Sequence, residues 1–187
     1  MSAIGMSRFE KALAYHAAPT LMGLKCGSLL SLSGEGSDLA ELVTQIGSQL
    51  SDRGLRIRLI PVSGERKLIY VYNEELLGRR LDCKGIRRFL SAYGYAPGAG
   101  TDKCLDRLCD RLSENEFPHE IGIFLDYPLK DVKGFIDNCG QHCKLCGVWK
   151  VYGNVERARR IFAQYDRCRT ELCAQLKNGR RLAACVA

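Results

Sequence analysis

Two apolar stretches joined by a short polar loop constrain the fold more than any other feature of the chain. Residues 55–62, LRIRLIPV, and 67–73, KLIYVYN, flank Ser63-Gly64-Glu65-Arg66. That connection is too short for a crossover, so the two stretches are expected to pair as an antiparallel hairpin. In the first, Leu55, Ile57 and Leu59 alternate with Arg56 and Arg58, which leaves one face wet. The second is apolar on both faces and belongs in the middle of a sheet. A further strand is expected at 26–32, within CGSLLSLS, closed by a Gly34-Glu35-Gly36 turn.

Helical spacing of apolar residues accounts for most of the rest. Phe9, Leu13 and Ala17 recur every four residues between a capping Ser7 and Pro19, so a helix is expected over 6–18 with Pro19 as its stop. Leu39, Leu42, Val43, Ile46 and Leu50 mark a second helix, capped by Ser37 or Asp38 and ended by Gly54. Asn73 opens a helical region over 74–92 interrupted by Gly78 and Gly85, and Thr101 caps a helix over 102–114. Pro118 starts a helix expected to reach residue 126, and Pro128 starts another lined by Leu129, Val132, Phe135 and Ile136. GVWKVYG then reads as a strand, with Val148, Lys150 and Tyr152 on one face and Trp149 and Val151 on the other. A final helix over 155–176 buries Ala158, Ile161, Tyr165, Cys168, Leu172 and Leu176. The expected class is α/β or α+β. A single domain is expected over 1–187, with a small mixed sheet of about four strands (26–32, 55–62, 67–73 and 148–152) under five to seven helices and a frayed tail over 177–187.

A chain of 187 residues can bury a core without staples. Its 46% hydrophobic and 26% charged composition excludes general disorder, and no run approaches the roughly 20 apolar residues of a spanning helix. Arg8, Glu10 and Lys11 stand where a secretion signal would carry its apolar stretch, so a cytoplasmic protein without membrane contact is expected. In that compartment the ten cysteines are thiols, metal ligands or redox groups rather than disulfides. The net charge of +7 is concentrated in 79–88 and 155–187. Arg157, Arg159, Arg160, Arg167 and Arg169 on the last helix suit phosphates or an acidic partner, and equally a solvated helix face.

FPHEIGIFLDYPLKDVKGFI (117–136) followed by GVWKVY (147–152), with APTLMGLK (18–25) and IFAQYDRC (161–168), carries a resemblance over nearly the whole chain. These segments resemble a family of uncharacterised proteins, a domain of unknown function recurrent in anaerobic Gram-positive bacteria. The resemblance implies recurrent polar positions at Lys25, His119, Glu120, Asp131, Trp149, Lys150 and Tyr152. It also implies company with iron-uptake and flavodoxin functions, hence a link to iron or redox physiology, and it supplies no activity. The cysteine cluster falls outside the family pattern.

The stretch 117–152 concentrates the chemistry. Cys139-x3-Cys143-x2-Cys146 has the spacing of a loop that holds a [4Fe–4S] cluster, but too little chain follows for the barrel that normally carries such a loop. A zinc site using His142 and these cysteines lacks a second half nearby, although Cys168 or Cys173 could supply a fourth thiolate. Separate thiols, some of them buried, are the plainer reading. His119-Glu120 offers an acid/base pair, or a carboxylate that merely complements a helix start. Trp149-Lys150-Tyr152 could set an aromatic plane and a cation beside a planar anion such as a flavin or nucleotide, or simply fill a core. Residues 119–137 have the rhythm of a helix-turn-helix, yet the second helix has no basic face, so nucleic acid is not the favoured partner. The leading expectation is a binding or accessory protein for a small molecule or protein partner, using Lys25, His119, Glu120, Asp131, Trp149, Lys150 and Tyr152. An Fe–S or zinc protein built on Cys139, Cys143 and Cys146 is the alternative, and no catalytic residue is assigned.

Overall fold

The computed structural model describes residues 3–33, 36–61, 66–114 and 117–186. The expected Gly34-Glu35-Gly36 turn, the 63–66 loop and the capping side chains of Ser37 and Asp38 lie wholly or largely outside the described residues. The α+β class holds. The expected hairpin forms from β2 (Leu55–Pro61) and β3 (Arg66–Asn73), and β1 (Gly27–Ser33) pairs with the other edge of β3, giving the order β1-β3-β2. Both pairings are antiparallel, with Leu30 opposite Ile69 and Leu59 opposite the same residue on the other side. The sheet is therefore antiparallel rather than mixed.

Because β3 has no polar face, the sheet is covered on both sides. Leu30, Leu55, Ile69 and Val71 meet α1 (Ala3–Leu21), α2 (Gly36–Leu50), the second half of α8 (Val155–Lys177) and α9 (Leu182–Cys185). On the opposite face Ile60, Tyr70 and Tyr72 meet five helices: α3 (Glu74–Leu81), α4 (Lys84–Ser91), α5 (Thr101–Leu112), α6 (Ile121–Phe124) and α7 (Leu129–Asp137). A smaller cluster joins Trp149 and Val151 to Ala158 and Tyr165 on the first half of α8. The segment expected as a fourth sheet strand instead forms a separate two-stranded ribbon, β4 (Leu145–Cys146) with β5 (Lys150–Val151).

Several helix ends differ from expectation. The break in 74–92 falls at Asp82-Cys83 and not at either glycine. Asn73 caps α3 as expected, its side chain accepting from the Leu76 N–H at 2.9 Å, whereas α5 is capped from Gly100 with Thr101 already inside it. The segment beyond Lys177, expected to fray, holds α9, with Leu182 and Val186 buried and the Leu182 N–H donated to Glu10 Oε1 at 3.1 Å.

Pro19 does not stop α1, which runs two residues further. Proline lacks an N–H, so the carbonyl one turn back, on Tyr15, loses its helical donor. Arg169 of α8 supplies the replacement: its Nε donates to Tyr15 O at 3.0 Å while the guanidinium lies 5.1 Å from the Tyr15 ring centroid. The helix then ends on bonds from Met22 N to Ala18 O and from Leu24 N to Pro19 O, with Gly23 in the left-handed region. Arg169→Ala is accordingly expected to cost about 1 kcal/mol of stability. The cost should shrink in a Pro19→Ala background, which restores the backbone donor. Urea denaturation of the two single variants and the double variant measures this coupling, and strictly additive losses would contradict it.

Candidate functional site

The site begins with a one-turn helix that cannot hold itself. Four residues are too few for α6 to satisfy its own C-terminal carbonyls. Arg80 of α3 does so from the side, donating through Nε to Ile123 O at 2.6 Å and through its other nitrogens to Tyr127 O and to Asp126 Oδ1, the last at 2.7 Å. The Tyr70 hydroxyl donates to Phe124 O at 2.7 Å, and Asp126, in the left-handed region at φ 63°, accepts the Cys26 N–H through Oδ2 at 3.3 Å. Only glycine fits at 27, since a Cβ there would lie 2.2 Å from the Tyr70 hydroxyl and 2.4 Å from Phe124 O. This backing fixes α6 and the 125–127 turn against the sheet.

The opposing wall hangs on Asp131. Its carboxylate is buried in the first turn of α7 and accepts three bonds: Trp149 Nε1 at 2.8 Å, Tyr152 N at 2.9 Å and Gly153 N at 2.6 Å. The two β5 flanks are thereby tied to α7, and the Tyr152 side chain packs so closely on the helix that a Cβ at Gly134 would lie 2.5 Å from it. The Tyr152 hydroxyl donates to Gln141 O at 2.8 Å. Trp149 stacks on Tyr127 with centroids 5.1 Å apart and forms a T-shaped pair with Phe162, centroids 4.5 Å apart.

Between these walls lies a cleft of about 360 Å³. Ile121, Leu125, Val132, Phe135, Val148 and Trp149 give it an apolar surface, and Phe117, more than half exposed, stands at the rim. Two basic side chains reach it. His119 is exposed and packs in a T-shaped pair with Phe135, ring centroids 5.0 Å apart. Lys150 donates to Gly140 O at 2.6 Å, with Nζ 5.9 Å from the Phe135 centroid.

The pattern that defines a family of proteins of unknown function, DUF3793, matches residues 13–186. The chain belongs to the DUF3793 family. No curated protein and no solved structure matches it.

The other singled-out residues of this DUF3793 chain go elsewhere. Glu120 points away from His119 into the core, where Oε1 accepts from Arg111 Nε at 3.0 Å and from the Tyr95 hydroxyl at 3.4 Å. It neither caps α6 nor pairs with His119, because neighbouring residues entering a helix face different sides. Burial, followed by the Glu120 charge, raises the Tyr95 pKa far above its ordinary value. Cys146 lines the cleft and Cys139 is exposed nearby, with Cys139 and His142 both in the left-handed region. Among the described residues no group of three or more His, Cys, Asp or Glu is arranged to hold a metal ion. Arg80, Tyr70, Gly27 and Phe135 all shape the site and carried no signal as site residues. Arg80 read as one member of a basic run, and Phe135 as part of an apolar helix stripe.

Lys25 is behind the cleft rather than in it. Its side chain is buried with Nζ 5.5 Å from the Tyr127 centroid and 5.8 Å from that of Tyr165, and its one hydrogen bond runs to Ser28 Oγ at 3.4 Å. Burial lowers its pKa from 10.5 to about 8, partly opposed by the neighbouring Cys26 and Asp126. Unfolded, the amine keeps its proton up to 10.5, so folding releases a proton between about pH 8 and 10.5 and Lys25 makes stability rise with pH there. The full rise is worth roughly 3 kcal/mol, of which about 1 kcal/mol falls between pH 8 and 9. Cys26 acts oppositely: burial pushes its thiol from 9.0 up to about 12, so its contribution is present below pH 9 and is lost towards pH 12. Burial raises the Cys104, Cys109 and Cys168 thiols in the same sense as Cys26, so the Lys25 effect is read from the difference between variant and parent. Lys25→Met is expected to be more stable than the parent at pH 7 and to lose about 1 kcal/mol of that advantage between pH 8 and 9. Urea midpoints across that range measure it, and parallel curves for the two proteins would show that the amine is solvated.

Proposed function

We propose that this chain is a binding protein whose cleft between α6, α7 and the β4–β5 turn takes a small, predominantly apolar ligand. The observation that carries this reading is the wall itself. A stacked aromatic pair, Tyr127 and Trp149, lines an apolar cleft of about 360 Å³, with Trp149 held by a carboxylate whose three accepted bonds all go to the wall. A volume in this range, apolar lining and a few polar groups at the rim are the usual properties of a small-molecule site. His119 and Lys150 belong to it by position, Asp131 and Tyr152 support it from behind, and Lys25 backs Tyr127. The nucleic-acid alternative draws less support, since all four α6 residues are buried against the sheet and α7 spans only nine residues. We also read the chain as one domain, because Tyr127 packs into two of the three apolar clusters.

The single Trp makes the reading directly testable. N-phenyl-1-naphthylamine, a neutral fluorescent probe, is expected to bind with one-to-one saturation, brightening while it quenches Trp149 emission by energy transfer. Val148→Phe, which fills the mouth of the cleft, should abolish the signal with the fold preserved, and His119→Ala should weaken it several-fold. Saturable binding that survives Val148→Phe unchanged, or no binding at all, would refute the cleft as the site.

A further inference from the structure

We propose that the ligand of this cleft is a planar aromatic monoanion, a carboxylate or sulfonate on a ring system of naphthalene size, with its acid group on Lys150. The inference rests on the cleft reading above and narrows it to a chemical class. Three observations carry it. The first is the charge facing the cleft. Of the ionisable side chains lining it among the described residues, Asp131 is the one carboxylate, and both of its oxygens already accept bonds from Trp149, Tyr152 and Gly153. Among the same residues Lys150 is the one ammonium, and its one donated bond there, to Gly140 O, leaves two of its three N–H groups available. A bound anion therefore meets a cation with spare donors, whereas a bound cation meets that same ammonium and no free acceptor charge.

The second observation is the arrangement of rings. Phe135 neighbours both basic side chains, with the His119 ring centroid at 5.0 Å from its own and Lys150 Nζ at 5.9 Å. Trp149 and Tyr127 stand together with an interplanar angle of 29°. Phe135 and Trp149 both line the cleft, so a flat ring bound there has aromatic surface to meet, and Lys150 beside Phe135 is within reach of a ring substituent.

The third is the scarcity of other polar partners. The Val148 carbonyl is engaged by the Tyr127 hydroxyl at 3.4 Å, and apart from the ionisable groups and the Cys146 thiol the lining side chains are aliphatic or aromatic. A nucleotide, sugar or peptide would bury several donors and acceptors unpaired, each at a cost of about 1–3 kcal/mol. One charge and a flat apolar body suit the cleft, and many hydroxyls or phosphates do not.

A matched pair of probes tests this. 1-Anilinonaphthalene-8-sulfonate and N-phenyl-1-naphthylamine share one ring skeleton and differ by the sulfonate alone. Titrations followed through quenching of Trp149 are expected to give about tenfold tighter binding of the sulfonate, a preference worth one hydrogen-bonded charge. Lys150→Met is expected to erase the preference, bringing the two probes to the same affinity, with far-UV circular dichroism and the urea midpoint showing that the variant is folded. Alkylation of Cys146 by iodoacetamide, read by peptide mass, should slow when the sulfonate is bound. If the neutral probe binds and the sulfonate is no tighter, or Lys150→Met leaves the ratio unchanged, the anion inference is overturned and the apolar cleft stands. If neither probe binds, the cleft reading itself falls.

Discussion

The carboxylate of Asp131 holds together what the rest of the site depends on. A charge buried in apolar surroundings costs several kcal/mol unless it is met by donors. Here it is met by an indole N–H and two backbone N–H groups, with the start of α7 adding favourable dipole. In return it gives the indole nitrogen of Trp149 a partner and fastens the ends of a ribbon whose strands are two residues long. Two-stranded ribbons are marginal in isolation. This one persists because its far side is pinned to a helix through one side chain, and Trp149 is thereby set as a wall.

A second pin works from the opposite direction. Arg80 and Tyr70 collect the carbonyls that a one-turn helix leaves open, and Gly27 lets the sheet approach closely enough for that to happen. The cleft is thus suspended between the sheet, through α6, and α8, through the Trp149 cluster. Arg80, Tyr70 and Gly27 stand outside the cleft lining, whereas Asp131, Trp149, Ile121 and Val132 both line it and belong to the buried frame. Phe117 and His119 at the rim are exposed.

Much of the frame is legible in the sequence. Alternation in 55–59 and the absence of a polar face in 67–73 define the hairpin and its central strand, and proline and asparagine mark the starts of α7 and α3. What escapes is what depends on distant partners. Pro19 ends a helix in isolation, but Arg169, 150 residues on, answers the carbonyl it exposes. The alternation of 148–152 is that of a strand, yet nothing local says that its partner is β4 and not the main sheet. His119 and Glu120 are adjacent in sequence and diverge in space, because Arg111 draws the carboxylate inward. Asp131 stands out through the family pattern, while its role as an acceptor for three donors needs the fold. Arg80 reads as one charge among several in a basic run, and only the folded chain distinguishes the inward-facing arginine from its solvated neighbours.

The central claim is that Asp131 fixes Trp149 as the wall of a ligand cleft, and the indole N–H of the single Trp reports on it. In a ¹H–¹⁵N correlation spectrum of the full chain, that one indole resonance is predicted to lie downfield and exchange slowly with solvent, as a hydrogen bond to a buried carboxylate requires. It should shift on saturation with N-phenyl-1-naphthylamine. A fast-exchanging, solvent-like indole resonance that the probe leaves unmoved would contradict the account.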